Sequence, residues 1–280
     1  MIVRPALLLA ALLSLCAAPP AAAVPVDPPG VLTFGNLART YLLHVPPGLP
    51  PAGLVINLHG AGMTGAQQAA LTNYNAVADR FGFAVAYPDG IDLSWADGRG
   101  ASIPDRQRVD DVGFLAALIE RLTRELAVPS GRVFVTGMSA GGFMANRLAC
   151  DRADLVSAVA PVAGTLGTGV GCAPSRPVSV LAIHGTADAV VPYGGGPMVG
   201  RGGPSDVLSA PALAQRWQQA DGCPAPSVDQ PGPVGVQRTA ATGCAGGTEV
   251  VLLSIDGGSH IWPSALDASV ASAQFFAARP

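Results

Sequence analysis

Apolar residues recur along the chain in two spacings. Short, mostly unbroken apolar runs lie at 54–58, 83–87, 132–136, 155–162, 178–183 and 249–255, as strands covered on both faces require. Residues 39–45 alternate instead and end at Pro46-Pro47, which predicts an antiparallel edge strand. Between these runs, residues 65–80, 142–150, 206–220 (despite Pro211) and 265–278 have helical composition. The clearest helix begins near Asp105, where Val112, Leu115, Leu118, Ile119, Leu122 and Leu126 share one face, and Pro129 ends it. Strands alternating with helices predict an α/β fold, with a mainly parallel central sheet and helices on both faces. The Gly/Pro-rich stretches 192–204 and 222–235 read as loops inside one domain.

The first residues follow a different pattern. Arg4 precedes an apolar stretch at 6–15, and Ala21-Ala22-Ala23 offers small residues for cleavage, so 1–23 reads as an export signal and 24–280 as one catalytic-sized domain. The apolar stretch is too short for a transmembrane helix, and no later segment approaches about 18 unbroken apolar residues, so membrane insertion is not expected. Cys16 follows Leu13-Ser14-Leu15. A lipidated cysteine should follow a small residue, and Leu15 is not small, so secretion is favoured over a lipid anchor.

Export changes the reading of the other four cysteines. Cys150, Cys172, Cys223 and Cys244 allow three pairings, of which local closure favours Cys150–Cys172 and Cys223–Cys244. There is no Cys-x-x-Cys or His-x-x-x-His, so a metal site is not implied.

Composition narrows the chemistry further. Of 280 residues 49% are hydrophobic and 12% charged, and all 16 basic residues are arginine. Without lysine there is no Schiff base, no Ser–Lys dyad and no P-loop. A net charge of −3 without a basic run argues against nucleic-acid binding, and a monomer is the expectation.

Gly137-Met138-Ser139-Ala140-Gly141 is a G-x-S-x-G motif. On its own it is weak in a chain with 35 glycines, but it directly follows the 132–136 strand and directly precedes a helical run. That is the context of a nucleophile elbow, in which a sharp turn exposes the serine oxygen and the helix N-terminus supplies N–H donors. A serine at its free pKa needs a base, and here that means one of four histidines. In elbow-type hydrolases an acid and then a base follow the serine in the chain. His44 and His59 come too early, and His184 leaves little room for an acid before it. His260, in the glycine-loosened segment 256–260, is the base this order selects. Asp188, in a loop after the 178–183 strand, is the acid that would orient it. Asp206 and Asp229 sit in or near helical and Pro-rich contexts, and Asp151 and Asp154 follow the elbow helix too closely. The segment Leu58-His59-Gly60-Ala61-Gly62 follows an early strand and offers a second oxyanion amide, so Ala61 joins Ala140. His59 would then hold that loop by hydrogen bonds, and Trp95 and Trp262 are candidates for the wall of a substrate pocket.

Taken together, the stretches NLHGAG at 57–62, AYPDG at 86–90 with Trp95 after it, DDVGFLAALI at 110–119, VTGMSAGGFMANRLAC at 135–150, HGTADAVVPY at 184–193 and GGSHIWP at 257–263 resemble the extracellular polyhydroxybutyrate depolymerase-like esterases. These are a branch of the α/β-hydrolases that also holds feruloyl and acetylxylan esterases. The resemblance implies an α/β-hydrolase fold, a cofactor-free serine esterase, a triad on Ser139, Asp188 and His260, Trp262 near the site, and disulfide-bonded cysteines. It leaves open whether the ester is a polyester or oligoester of the polyhydroxyalkanoate type or an acylated plant polysaccharide. A non-catalytic secreted binding protein on the same scaffold is the alternative of a different class; a complete nucleophile, base and acid in order argues against it.

Overall fold

Six apolar runs become strands because each can bury both faces once paired. In the computed structural model residues 29–280 are described, apart from 49, 225–227, 231, 265 and 280. The expected signal over 1–23, with Cys16, lies outside the described residues. The strands are β1 (Pro29–Phe34), β2 (Leu37–His44), β3 (Gly53–Leu58), β4 (Phe83–Pro88), β5 (Val133–Met138), β6 (Ala158–Val162), β7 (Ser179–Gly185), β8 (Gly196–Gly200), β9 (Gly203–Val207), β10 (Val228–Gln230), β11 (Val236–Ala241) and β12 (Val250–Ile255). The helices are α1 (Gly65–Thr72), α2 (Tyr74–Phe81), α3 (Ile103–Gln107), α4 (Asp111–Glu125), α5 (Ala140–Asp151), α6 (Ala210–Ala220) and α7 (Ala268–Ala277).

Ten strands form one sheet in the order β1-β2-β4-β3-β5-β6-β7-β12-β11-β10. The inner strands β4, β3, β5, β6, β7 and β12 pair in parallel, and antiparallel strands flank them on each side. Helices cover both faces. Leu118, Leu122, Met144, Leu148, Leu213 and Trp217 from α4, α5 and α6 fill one core. Tyr74, Val77 and Phe276 from α2 and α7 fill the other, where Phe134 and Phe276 stack at 4.8 Å. Each fully buried large side chain contributes about 1.5–3 kcal/mol, so the two cores fix the sheet between rigid layers. Disulfides join Cys150 to Cys172 and Cys223 to Cys244, the locally closed pairing.

Several elements differ from the periodicity reading, each for a local reason. The 37–44 strand is antiparallel but not at the edge. Gly35 and Asn36, at φ 55° and 64°, make a tight hairpin turn that adds β1 outside it. The helix expected over 65–80 breaks at Asn73, whose left-handed φ of 46° caps α1. The helix expected from Asp105 is likewise two, because Arg108 is left-handed (φ 57°) and Asp110 starts α4 by accepting the Gly113 amide. Residues 206–207 end β9, and the helix begins after Ser209, with Pro211 harmless in its first turn. The loop expected at 192–204 holds all of β8 and the start of β9, and the 222–235 stretch contains β10. Among the described residues no helix is long and apolar enough to cross a membrane.

Candidate active site

Because the inner strands are parallel, their C-terminal ends share one sheet edge, and the segments after β3, β5, β7 and β12 all emerge there. Ser139 stands between β5 and α5 with φ 54° and ψ −118°, a conformation costing a non-glycine residue about 1–3 kcal/mol. The turn is held by the Ser139 amide donating to Val162 O at 2.9 Å and by the Ser139 carbonyl accepting from the Phe143 amide at 2.9 Å. A side chain at Gly141 would collide with the Leu58 and His59 carbonyls, so only glycine lets α5 start this close to the loop after β3. That loop passes beside the nucleophile: a Cβ on Gly60 would lie 3.7 Å from Ser139 Cβ. Among the described residues the Ala61 and Ala140 amides bind no acceptor, which leaves one N–H donor on the loop after β3 and another at the first residue of α5, next to Ser139 in the chain.

The segments after β7 and β12 are zipped together. Thr186 N donates to Ile255 O and Ala187 N to Gly258 O, each at 2.9 Å, and Gly257 N donates to the Thr186 hydroxyl at 2.8 Å. This brings His260 Nδ1 to 2.8 Å from Asp188 Oδ2. The other carboxylate oxygen, Oδ1, accepts the Val190 and Val191 amides at 2.8 and 2.9 Å. Burial pushes the Asp188 carboxyl up. The close approach of His184 and hydrogen bonds from His260 and the Val191 and Val190 amides outweigh it and hold the group well below the usual carboxylate range.

His184, considered in the sequence only as a possible base, has a different place. Its Nε2 donates to Val191 O at 2.9 Å and lies 3.4 Å from Asp188 Oδ2, while its ring is buried. It is a second imidazole on the same carboxylate, and its spacing four residues before Asp188 was the available signal.

His59 holds the loop after β3, as the sequence suggested. Nδ1 donates to Gly60 O at 2.8 Å and Nε2 accepts from Gly90 N at 2.9 Å. A ring that donates at Nδ1 and accepts at Nε2 is neutral, and burial lowers its pKa in that direction despite the bond to Gly60.

Burial excludes Trp95 as a pocket wall, whereas Trp262 keeps a small exposed surface. Trp95 is fully buried; its Nε1 donates to His59 O at 2.9 Å and its ring lies 4.8 Å from the His59 ring. Trp262 is only 8% exposed, and its Nε1 donates to Ser269 Oγ at 3.1 Å. The Trp95 indole braces the loop after β3, and the Trp262 indole ties its segment to α7, because a buried indole takes the nearest acceptor and its ring fills core space. The Trp95 loop is further pinned by the buried Arg39–Asp111 pair at 2.7 Å, whose second oxygen accepts the Ala96 amide.

Residues 39–191 match the profile of the family described as Esterase PHB depolymerase, a segment that includes Ser139 and Asp188. The chain is 32% identical over 246 residues to "Putative esterase NocK" of Nocardia uniformis subsp. tsuyamanensis, covering 80% of this chain and 71% of that one. It is 32% identical over 219 residues to Feruloyl esterase B of Piromyces equi, covering 75% of this chain but only 39% of that longer one. Among solved structures, the acetyl xylan esterase from Aspergillus awamori superposes with a TM-score of 0.65 at 16% identity, covering 89% of this chain and all of that one, a likeness of fold. The chain belongs to the Esterase PHB depolymerase family, ester hydrolases built on the α/β-hydrolase fold.

Proposed function

We propose that the protein is an exported serine ester hydrolase that works through an acyl-enzyme on Ser139. The observation that carries this reading is the 2.8 Å bond between His260 Nδ1 and Asp188 Oδ2, on two zipped loops at the sheet edge that also bears the strained serine. With Nδ1–H committed to a carboxylate, the lone pair of the neutral ring lies on Nε2, the nitrogen that would take the Ser139 proton. Ser139 Oγ attacks the ester carbonyl, the amides of Ala61 and Ala140 hold the oxyanion, and the alcohol leaves with the proton from His260. Water then attacks the acyl-enzyme, giving its proton to His260, and the acid departs as Ser139 is reprotonated. Each oxyanion donor is worth about 2.7–4 kcal/mol of barrier. Asp188, held ionised, stabilises the imidazolium at each proton transfer.

The substrate we assign first is a polyhydroxyalkanoate or related oligoester. Feruloylated or acetylated polysaccharide is a second reading, favoured by the names of relatives such as Feruloyl esterase B. Export over residues 1–23 is supported by the two disulfides, which persist in oxidising compartments. The test is a panel of hydroxybutyrate oligomers, methyl ferulate, acetylated xylan and p-nitrophenyl esters of rising chain length. The highest kcat/KM on the oligomers supports the first reading, and a preference for ferulate or acetylxylan replaces it with the second. Turnover that survives Ser139→Ala overturns both.

A further inference from the structure

The β8–β9 hairpin turns at Arg201 and Gly202, and bonds to Gly202 fix its tip. The Gly202 amide donates to Ala101 O at 2.9 Å, and the Arg106 guanidinium donates to Gly202 O. These clamps set Arg201 against the loop after β3, where a Cβ built on Gly62 would stand 3.3 Å from Arg201 Nη1. Gly62 has φ 83°, so a glycine there serves both the turn and the approach of the cation. Gly62 directly follows Ala61, so the guanidinium lies within about 10 Å of the Ala61 amide by chain geometry alone.

Arg201 differs from the arginines around it. Arg99 forms a two-pronged pair with Asp97 and lies over the Phe143 ring, and Arg147 is bound to Asp151. The Arg201 side chain is 45% exposed, and among the described residues its ion pair is with Asp92 at 3.9 Å, itself 39% exposed. Such a pair is worth about 0–1 kcal/mol, so exchanging it for a ligand carboxylate costs little. Asp92 and Leu93 are both left-handed, at φ 50° and 54°, and Leu93 O accepts the Gly62 amide at 2.8 Å. Strained non-glycine backbone of this kind collects at ligand-binding sites.

A guanidinium offers a planar fork that a carboxylate fills with two parallel hydrogen bonds. We infer that Arg201 determines specificity by binding a carboxylate carried by the ester a few bonds from the scissile carbonyl. Half-esters and free-acid oligoesters are then preferred over neutral esters of equal length. This inference rests on the Ser139 reading above.

The test is the ratio of kcat/KM for mono-4-nitrophenyl adipate to that for 4-nitrophenyl hexanoate, in the wild type, Arg201→Gln and Asp92→Asn. A parallel pair, the free-acid dimer of 3-hydroxybutyrate and its methyl ester, places the carboxylate on the leaving side. Arg201→Gln is expected to lower at least one of these anionic-to-neutral ratios about tenfold, and Asp92→Asn to raise the same one. If neither ratio moves by more than about twofold in Arg201→Gln, the assignment is wrong. Ser139→Ala, assayed alongside, keeps the two claims apart. Flat ratios in an enzyme that Ser139→Ala inactivates overturn the Arg201 assignment alone, whereas surviving turnover overturns the triad.

Discussion

Asp188 accepts the Nδ1–H of His260 at 2.8 Å on one oxygen while its other oxygen takes two backbone amides, so the carboxylate is fixed before it fixes the imidazole. Asp188→Asn keeps the size of the group but can place an N–H against Nδ1. The ring then carries its proton on Nε2, where Ser139 needs a lone pair. The expected loss in kcat is about 10^3–10^4-fold with the fold intact, read from steady-state kinetics beside a circular-dichroism melt. A loss below about tenfold would contradict the role given to Asp188.

A second carboxylate shapes stability rather than chemistry. Asp221 is fully buried after α6, where its Oδ1 accepts the Val178 amide at 3.0 Å, and burial pushes its carboxyl up to about 6. A raised pKa means that the folded state holds the proton more tightly than the unfolded chain. Its contribution is therefore fully present below the unfolded value of 3.8 and is lost as pH rises through about 6. A shift of about two units corresponds to about 3 kcal/mol. Asp221→Asn should raise Tm at pH 7 and flatten the dependence between pH 4 and 6; equal melts for the two proteins across that window would contradict it.

The buried Arg39–Asp111 pair should behave asymmetrically. Asp111→Ala leaves a guanidinium that is 2% exposed without its counter-ion and the Ala96 amide without its acceptor. The expected cost is about 3–5 kcal/mol in urea unfolding. The double change Arg39→Met, Asp111→Leu should recover most of it, because the unpaired charge goes too. A single variant that unfolds at the wild-type urea midpoint would rule this out.

The Cys150–Cys172 bridge ties the end of α5 to the chain that follows β6. Replacing both cysteines with serine should cost about 2–4 kcal/mol while leaving kcat near wild type at low temperature, since the bridge lies at the far end of the elbow helix. Unfolding midpoints and initial rates on one ester check both halves, and unchanged stability would mean that this bridge does not constrain the unfolded chain.

Much of the candidate site was legible because chemistry constrains order. A motif between strand and helix, no lysine, and one late histidine lead to Ser139, Asp188 and His260 without coordinates. What stayed hidden depends on tertiary approach. The β8–β9 hairpin contains Gly196, Pro197, Gly200, Gly203 and Pro204, poor strand formers, and exists because Met198 and Val207 bury against Phe143 and Val191. Trp95 sits beside a motif, but its neighbour is the His59 carbonyl rather than open space. Arg201 reaches the loop after β3 through that hairpin, and nothing in its local sequence marks it. The breaks at Asn73 and Arg108 follow from single left-handed residues that hydrophobic spacing does not encode.

The central claim is that Ser139 is the nucleophile, and a fluorophosphonate probe tests it most directly. Peptide mass spectrometry should find one adduct per chain, on Ser139, with esterase activity lost in step, and no adduct in Ser139→Ala. Full activity without an adduct, or an adduct elsewhere that tracks inactivation, would contradict the account.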